Sequence, residues 1–391
     1  MRNFKRTKLS CYVAYFTMSS VFCLPPLLFV TFRGLYGISW TALGTLVLVN
    51  FCTQLAVDLI FGALSSRISI KWAVRVMPLI TSLGLLIYAL MPKLFPAAAY
   101  AWLVLGTVIF SVASGLSEVL LSPIIAAIPS QNPGRDMSFL HSLYAFGVFF
   151  AVVTGTLFLK FVGEEYWSYM MLFFAALPLI SAVLFMTSPF PDMQKNDGAR
   201  VKARGARGRT TGIILCVLII FLGSCAENAM SNWISGYMEA QLHIDKALGD
   251  ILGVAGFAIL LGLTRIAYAR WGKSITKTLL VGMIGAALCY LVVGLTPFTP
   301  VAFFACTLTG VFTAMLWPGT LIMLEEKVEG AGVAAFALMA AGGDLGASVA
   351  PQLLGIIADT LGLQAGMLIS SVFPILGTVF VLIAMRYFKV K

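Results

Sequence analysis

Twelve apolar runs, each long enough to cross a lipid bilayer, follow one another along the 391 residues with mostly short gaps between them. A spanning helix needs about 20 mostly apolar residues. The runs fall near 10–32, 41–64, 72–91, 99–127, 138–162, 167–188, 211–236, 248–268, 276–295, 301–323, 332–358 and 363–385. Hydrocarbon offers the backbone no hydrogen-bond partners, so each run is expected as a helix. The fold class expected is an all-α membrane protein. Composition agrees: 60% of residues are hydrophobic and 11% charged, whereas a soluble domain carries about 25% charged residues. A soluble enzyme, a disordered chain and a secreted disulfide scaffold are excluded on that ground. The seven Cys lie inside apolar runs and form no CxxC pair, which supports neither a zinc site nor a disulfide framework. The first run is too long for a signal-peptide core and is expected as a retained helix.

The net charge of +10 resembles a nucleic-acid signal until the charges are located. They sit in the gaps. With the N-terminus inside, 22 of the 26 Lys and Arg fall on the inner side, and Arg33, Lys93, Lys160 and Lys246 on the outer. That asymmetry is the positive-inside pattern of a multi-pass protein. It predicts a plasma (inner) membrane location with both termini cytoplasmic, and no nucleic-acid partner.

The longest gap, 189–210, carries six basic and two acidic residues with Gly and Pro breakers. It reads as a cytoplasmic linker touching solvent and anionic headgroups. It divides the chain into six-helix bundles at 1–188 and 211–391. The halves echo each other: Gly62 to Lys71 and Gly262 to Lys273 each begin at a Gly and run into a basic turn. Gly115 with Pro123, and Gly310 with Pro318, repeat an eight-residue spacing in the fourth and tenth runs. Parallel six-helix repeats describe one transporter architecture.

On these residues the chain resembles the major facilitator superfamily over essentially its whole length. The family's G-x-x-x-D-R-x-G-R turn is degenerate here: Gly62, Arg67 and Lys71 are kept, but Ser66 and Ser69 replace its Asp and Gly. The charge-relay role of that Asp is therefore not carried over. The second copy keeps Gly262, Arg270, Gly272 and Lys273, and Gly343 to Asp359 resembles the family's eleventh span. Within the family the chain is similar to the fucose–proton symporter branch. Glu118 stands five residues before Pro123, with Ser122 replacing that branch's Asn, and Leu140 to Gly147 opens the fifth span similarly. The branch has an acidic residue in the first span; this chain has none there.

An ionisable group in hydrocarbon costs a few kcal/mol, so each asks for a reason. Polar residues recur at helical spacing in five spans: Asn50, Gln54 and Asp58; Ser114, Glu118 and Ser122; Glu227 with Ser231 and Asn228 with Asn232; Thr309, Thr313 and Trp317; Asp344, Ser348 and Gln352. Such stripes imply a shared wet cavity. Glu118 and Glu227, in the body of their spans, are expected to hold and release a proton, with His141 and Asp344 as further proton-coupling candidates. Asn50, Gln54, Tyr144, Asn228, Asn232, Trp233, Thr313, Trp317 and Gln352 are the expected substrate contacts. Amides bond sugar hydroxyls, and aromatic rings give a flat face to pack on. Asp58, Arg67, Arg265 and Arg270 are expected to gate, with Asp58 paired to Arg67 or Arg265. Asp250 and Asp359 are expected to be solvated. Bland readings stand beside these: small and polar residues also glue helices, His141 fits a structural hydrogen bond, and an interfacial belt competes for the aromatics, fitting Trp40, Trp167 and Trp271 well and Trp233 and Trp317 less well.

The function expected is proton-coupled symport of a small polar solute, a sugar first, by alternating access. The alternative is proton-coupled drug efflux. No phosphate-binding loop occurs, and no clustered catalytic set suggests an enzyme. No cofactor or metal is expected; the expected partners are the solute, protons and the lipid bilayer, with the chain as a monomer.

Overall fold

The computed structural model describes residues 4–64, 69–130, 133–191, 206–272, 274–328 and 333–389. All twelve expected runs are helical. Spans 2 to 6 are Trp40–Leu64, Ile70–Leu94, Ala99–Ala127, Pro133–Val162 and Trp167–Met186. Spans 7, 9 and 11 are Ala206–Ala240, Ile275–Leu295 and Val333–Leu361. Three spans are broken: span 1 (Lys5–Phe22, Leu24–Leu27, Phe29–Tyr36), span 10 (Thr299–Thr313, Leu316–Lys327) and span 12 (Leu363–Ser370, Val372–Lys389). Span 8 begins with a short helix, Lys246–Leu248, and a π turn at Gly249–Ala255 before its regular stretch Gly256–Trp271. Among the described residues ten helical segments are long and apolar enough to cross a membrane and the bent first span makes an eleventh; the 29-residue span 11 is the remaining helical run. An even number of crossings puts both chain ends on one face, the near face; the opposite is the far face.

The breaks have causes. Proline lacks an N–H and frees the carbonyl four residues before it. Pro25 and Pro26 break span 1, whose halves meet at 45°. Pro318 frees the Ala314 carbonyl where span 10 breaks, and Pro374 frees Ser370 where span 12 breaks. The chain mends one of these locally: Arg265 Nε donates to the Ala314 carbonyl at 2.8 Å.

Spans 1–6 and 7–12 form two bundles. Span 3 packs along spans 4 and 6, and span 7 along spans 11 and 12. Between bundles, span 2 packs on span 11 and span 5 on span 8. Trp167, Trp233, Tyr88, Tyr237 and Tyr290 are the largest fully buried aromatic side chains, while Phe161, Phe298 and Phe304 face outward, as lipid permits. Of the expected linker 189–210, residues 192–205 lie outside the described residues.

Small residues allow the closest crossings. A Cβ at Gly84 would lie 2.5 Å from the Phe110 nitrogen, and one at Gly106 within 2.9 Å of the Tyr88 backbone. Backbone yields little to such overlap. Gly84→Ala is expected to cost about 1–3 kcal/mol through forced separation of spans 3 and 4. Thermal unfolding in detergent should show a lowered midpoint; an unchanged midpoint contradicts this packing.

Candidate functional site

Between the bundles lies a small cavity, about 50 Å³. Five spans line it: span 1 (Phe22, Cys23, Pro26), span 2 (Phe51), span 5 (Tyr144, Ala145, Val148), span 7 (Glu227, Asn228, Ser231, Asn232) and span 8 (Val254, Phe257, Ala258, Leu261). The Pro pair and the π turn give these walls their irregular backbone, which membranes tolerate only inside protein or beside water. The volume is well below the roughly 300 Å³ of an ordinary ligand pocket.

Span 7 supplies the polar wall at helical spacing. Asn228 Nδ2 donates to the Ser224 carbonyl at 3.1 Å, and Asn232 Nδ2 to the Asn228 carbonyl at 2.8 Å. With an N–H of each amide bonded to its own helix, these side chains still offer carbonyl oxygens, acceptors suited to hydroxyl donors. Glu227 pairs with Arg265 Nη2 at 3.5 Å. Arg265 is thus held from two sides, by the carbonyl that Pro318 releases and by Glu227. Its partner is Glu227 rather than Asp58.

Asp58 on span 2 and Asp344 on span 11 each bury one carboxyl oxygen, Oδ1 and Oδ2, without a hydrogen-bond partner. Glu118 is near enough for its charge to act on both. His141 lies on span 5 with Nδ1 2.8 Å from the Tyr15 hydroxyl and Nε2 3.5 Å from the Ser122 hydroxyl. Asn50 accepts from Gln54 at 3.1 Å and Ser111 at 2.6 Å, forming a buried knot between spans 2 and 4.

The structure does not bring every expected contact to the cavity. Tyr144, Asn228, Asn232 and Glu227 line it. Trp233 is fully buried on the far side, donates to the Pro351 carbonyl at 3.0 Å and packs edge-on against Phe29 and Trp40. Trp317 packs on Gly343. The Thr313 hydroxyl turns back to the Thr309 carbonyl at 3.0 Å. Gln352 lies beside Gly44, at the crossing of spans 2 and 11. Arg270 is exposed over the Trp271 ring. Arg67 lies outside the described residues.

The far face is sealed by groups that periodicity does not single out. Asp250, expected to be solvated, is 1% exposed. It accepts from Ser235 and, at 3.1 Å, from Thr156 of the other bundle, and pairs with Lys246 at 3.6 Å. Lys246 also binds Glu239 at 3.2 Å and the Leu27 carbonyl at 3.1 Å. The i,i+4 spacing of Lys246 and Asp250 was the available signal for this pair. Asp359 joins span 11 to the start of span 2, accepting from the Trp40 and Thr41 backbone N–H groups at 3.2 and 2.7 Å and from the Thr41 hydroxyl. A carboxylate on a helix N-terminus is well placed for its dipole.

A family model described as Major Facilitator Superfamily matches residues 10–334. The chain belongs to the Major Facilitator Superfamily. Solved structures of the superfamily fold agree. A bacterial homolog to the human lysosomal transporter Spinster, in an inward-facing and occupied conformation, superposes with TM-score 0.76 over 99% of this chain and 98% of that one, at 14% identity. The E. coli xylose transporter XylE, partially occluded and inward open, gives 0.78 over 97% and 98%, at 15% identity. The E. coli fucose:proton symporter FucP gives 0.66 over 98% and 99%, at 14% identity. At such identities the likeness is one of fold. No curated protein gives a significant sequence match. Family and fold are those of membrane transporters.

Removing one member of a buried ion pair leaves the other charge uncompensated, at about 3–5 kcal/mol. Lys246→Met is therefore expected to lower the thermal midpoint clearly, and adding Asp250→Asn to recover most of the loss. Equal midpoints for Lys246→Met and the unaltered chain contradict the seal.

Proposed function

We propose that this superfamily transporter moves a small polar solute, a sugar first, by proton-coupled symport. Bundles 1–188 and 211–391 rock about the central cavity, joined by the 189–210 linker, with the near face cytoplasmic in the plasma membrane. One observation carries the reading: Glu227, Asn228, Ser231, Asn232 and Tyr144 converge on one cavity between the bundles. Acceptor oxygens beside aromatic rings suit the hydroxyls and the apolar face of a sugar. Fold neighbours that include a xylose transporter and a fucose:proton symporter are in keeping with it. In this account the far face is latched by Asp250 and Asp359, and Glu118 carries the transported proton.

A second reading is proton-coupled efflux of apolar or cationic compounds. Phe22, Phe51 and Phe257 in the cavity wall favour it.

Proteoliposomes holding the full chain separate the two. Under an inward proton gradient, symport raises the content of one sugar from a panel of hexoses and pentoses; efflux lowers the content of a lipophilic cation. Glu118→Gln is expected to abolish gradient-driven accumulation and to keep exchange between equal pools. Accumulation retained in that variant removes Glu118 from coupling. Asn232→Ala should weaken affinity for the transported solute roughly fivefold, the worth of about 1 kcal/mol for one hydrogen bond. Unchanged affinity takes Asn232 out of the binding wall.

A further inference from the structure

We propose that Tyr15 is a positioning residue for the solute path: its hydroxyl holds His141 in the neutral tautomer with the proton on Nε2, so that His141 offers the solute a fixed N–H donor. The inference rests on the polar-solute reading of the central cavity. It gives His141 a binding part there, distinct from the proton carried by Glu118.

Placement comes first. Span 5 turns one face outward, on which Phe139, Phe146 and Leu157 are exposed. Ala145 and Val148 lie on the opposite side of the helix, in the cavity wall. His141 stands four residues before Ala145 and seven before Val148, so it shares their inner face. Its side chain is exposed as well. That exposure is towards the path between the bundles, one turn nearer the near face than the cavity.

The hydrogen bond at Nδ1 sets the tautomer. His141 Nδ1 lies 2.8 Å from the Tyr15 hydroxyl, and the two rings meet edge-on at 5.3 Å and 87°. Tyr15 is 6% exposed, and its hydroxyl has no other hydrogen-bond partner among the described residues. A neutral imidazole has one N–H and one acceptor nitrogen. Were the proton on Nδ1, the phenol hydrogen would be left buried without an acceptor, which is costly. With the phenol O–H donating to Nδ1, both groups are satisfied. The bond at one ring nitrogen thereby decides the state of the other, and the proton sits on Nε2.

That Nε2–H is not committed. Its neighbour is the Ser122 hydroxyl at 3.5 Å, well beyond the roughly 3.0 Å usual for N–H···O. A solute oxygen can take its place. Across the path, span 7 answers with the amide oxygens of Asn228 and Asn232, whose N–H groups turn back to their own helix. Arg265 is occupied by the Ala314 carbonyl and Glu227. His141 therefore sets a donor on span 5 opposite acceptors on span 7. A hydroxyl meets both, since it donates and accepts. Solutes carrying several hydroxyls are the class that this pairing selects.

Nitrogen NMR of the full chain in lipid, with isotope-labelled histidine, tests the arrangement. The chain has two His, His141 and His243, and a His243→Gln variant assigns the signals. At neutral pH, His141 is expected as the Nε2–H tautomer, and Tyr15→Phe is expected to populate the Nδ1–H form. An Nδ1–H imidazole in the unaltered chain, or a tautomer that Tyr15→Phe leaves unchanged, overturns the proposal. D-xylose, L-fucose, D-glucose and D-galactose, added in turn, test the contact. At least one should shift the Nε2–H signal; a signal that none of them moves overturns the part given to His141. Tyr15→Phe should weaken binding of that sugar roughly fivefold, the worth of about one hydrogen bond. His141→Gln keeps an amide N–H in place of Nε2–H and has no tautomer to lose, so adding Tyr15→Phe to it should change nothing. Equal losses in both backgrounds make Tyr15 merely structural and overturn its positioning part. The tautomer is read without solute or proton gradient. Failure of proton-driven accumulation therefore sinks the symport reading by itself, and an unchanged tautomer in Tyr15→Phe sinks this inference by itself.

Discussion

In hydrocarbon, a backbone carbonyl without a donor has no water to turn to, and that constraint organises the molecule. Regular helix satisfies it almost everywhere. Where proline releases a carbonyl, something must take its place. Pro318 releases the Ala314 carbonyl in span 10, and the Arg265 guanidinium of span 8 fills it. An arginine fixed there needs a counter-charge, and Glu227 of span 7 supplies one. One missing N–H thus fixes a charged pair beside the cavity. The acid on the cavity wall is held by the break in a neighbouring helix, not by its own.

Charge is divided between two tasks. On the far face, Lys246 sits among Glu239, Asp250 and the Leu27 carbonyl, so the buried charges there are compensated and rigid. Along the path towards the near face, Asp58, Glu118 and Asp344 gather with no such cation among the described residues. The first arrangement closes; in the proposed function the second holds protons. A transporter needs both, because a latch that titrated readily would leak and a proton site that were permanently paired would not cycle.

Much of the fold was legible in the sequence. Run length and the asymmetry of Lys and Arg identified twelve spans, and every one is helical, though spans 1, 10 and 12 are broken. Prolines marked the breaks only in part: Pro25, Pro26 and Pro318 stand at breaks, Pro123 and Pro351, which looked equally disruptive, lie inside unbroken helices, and neither the break before Pro374 nor the π turn at Gly249–Ala255 was read from the sequence. The candidate site was legible on span 7, where four-residue steps put Asn228 and Asn232 on one wall. It was less so elsewhere. Period alone gives a face, not the neighbour that face meets: Trp233 shares its helix with the cavity residues yet points to Trp40 and Phe29. Pairings between distant spans were out of reach for the same reason. Arg265 was assigned to a gate beside Asp58 and found its partner on span 7. Asp250 looked like a solvated helix end and is buried by Thr156 from the other bundle. Tyr15, which meets His141, stands in a span with no polar stripe to draw attention to it.

The central claim is that solute and proton pass through one path between the bundles. Charge movement on a solid-supported membrane bearing the full chain tests it most directly. With no pH gradient imposed, adding a transported neutral sugar is predicted to drive a positive current into the vesicles, accompanied by proton uptake from the medium. Sugar entry with neither current nor proton uptake would contradict the account.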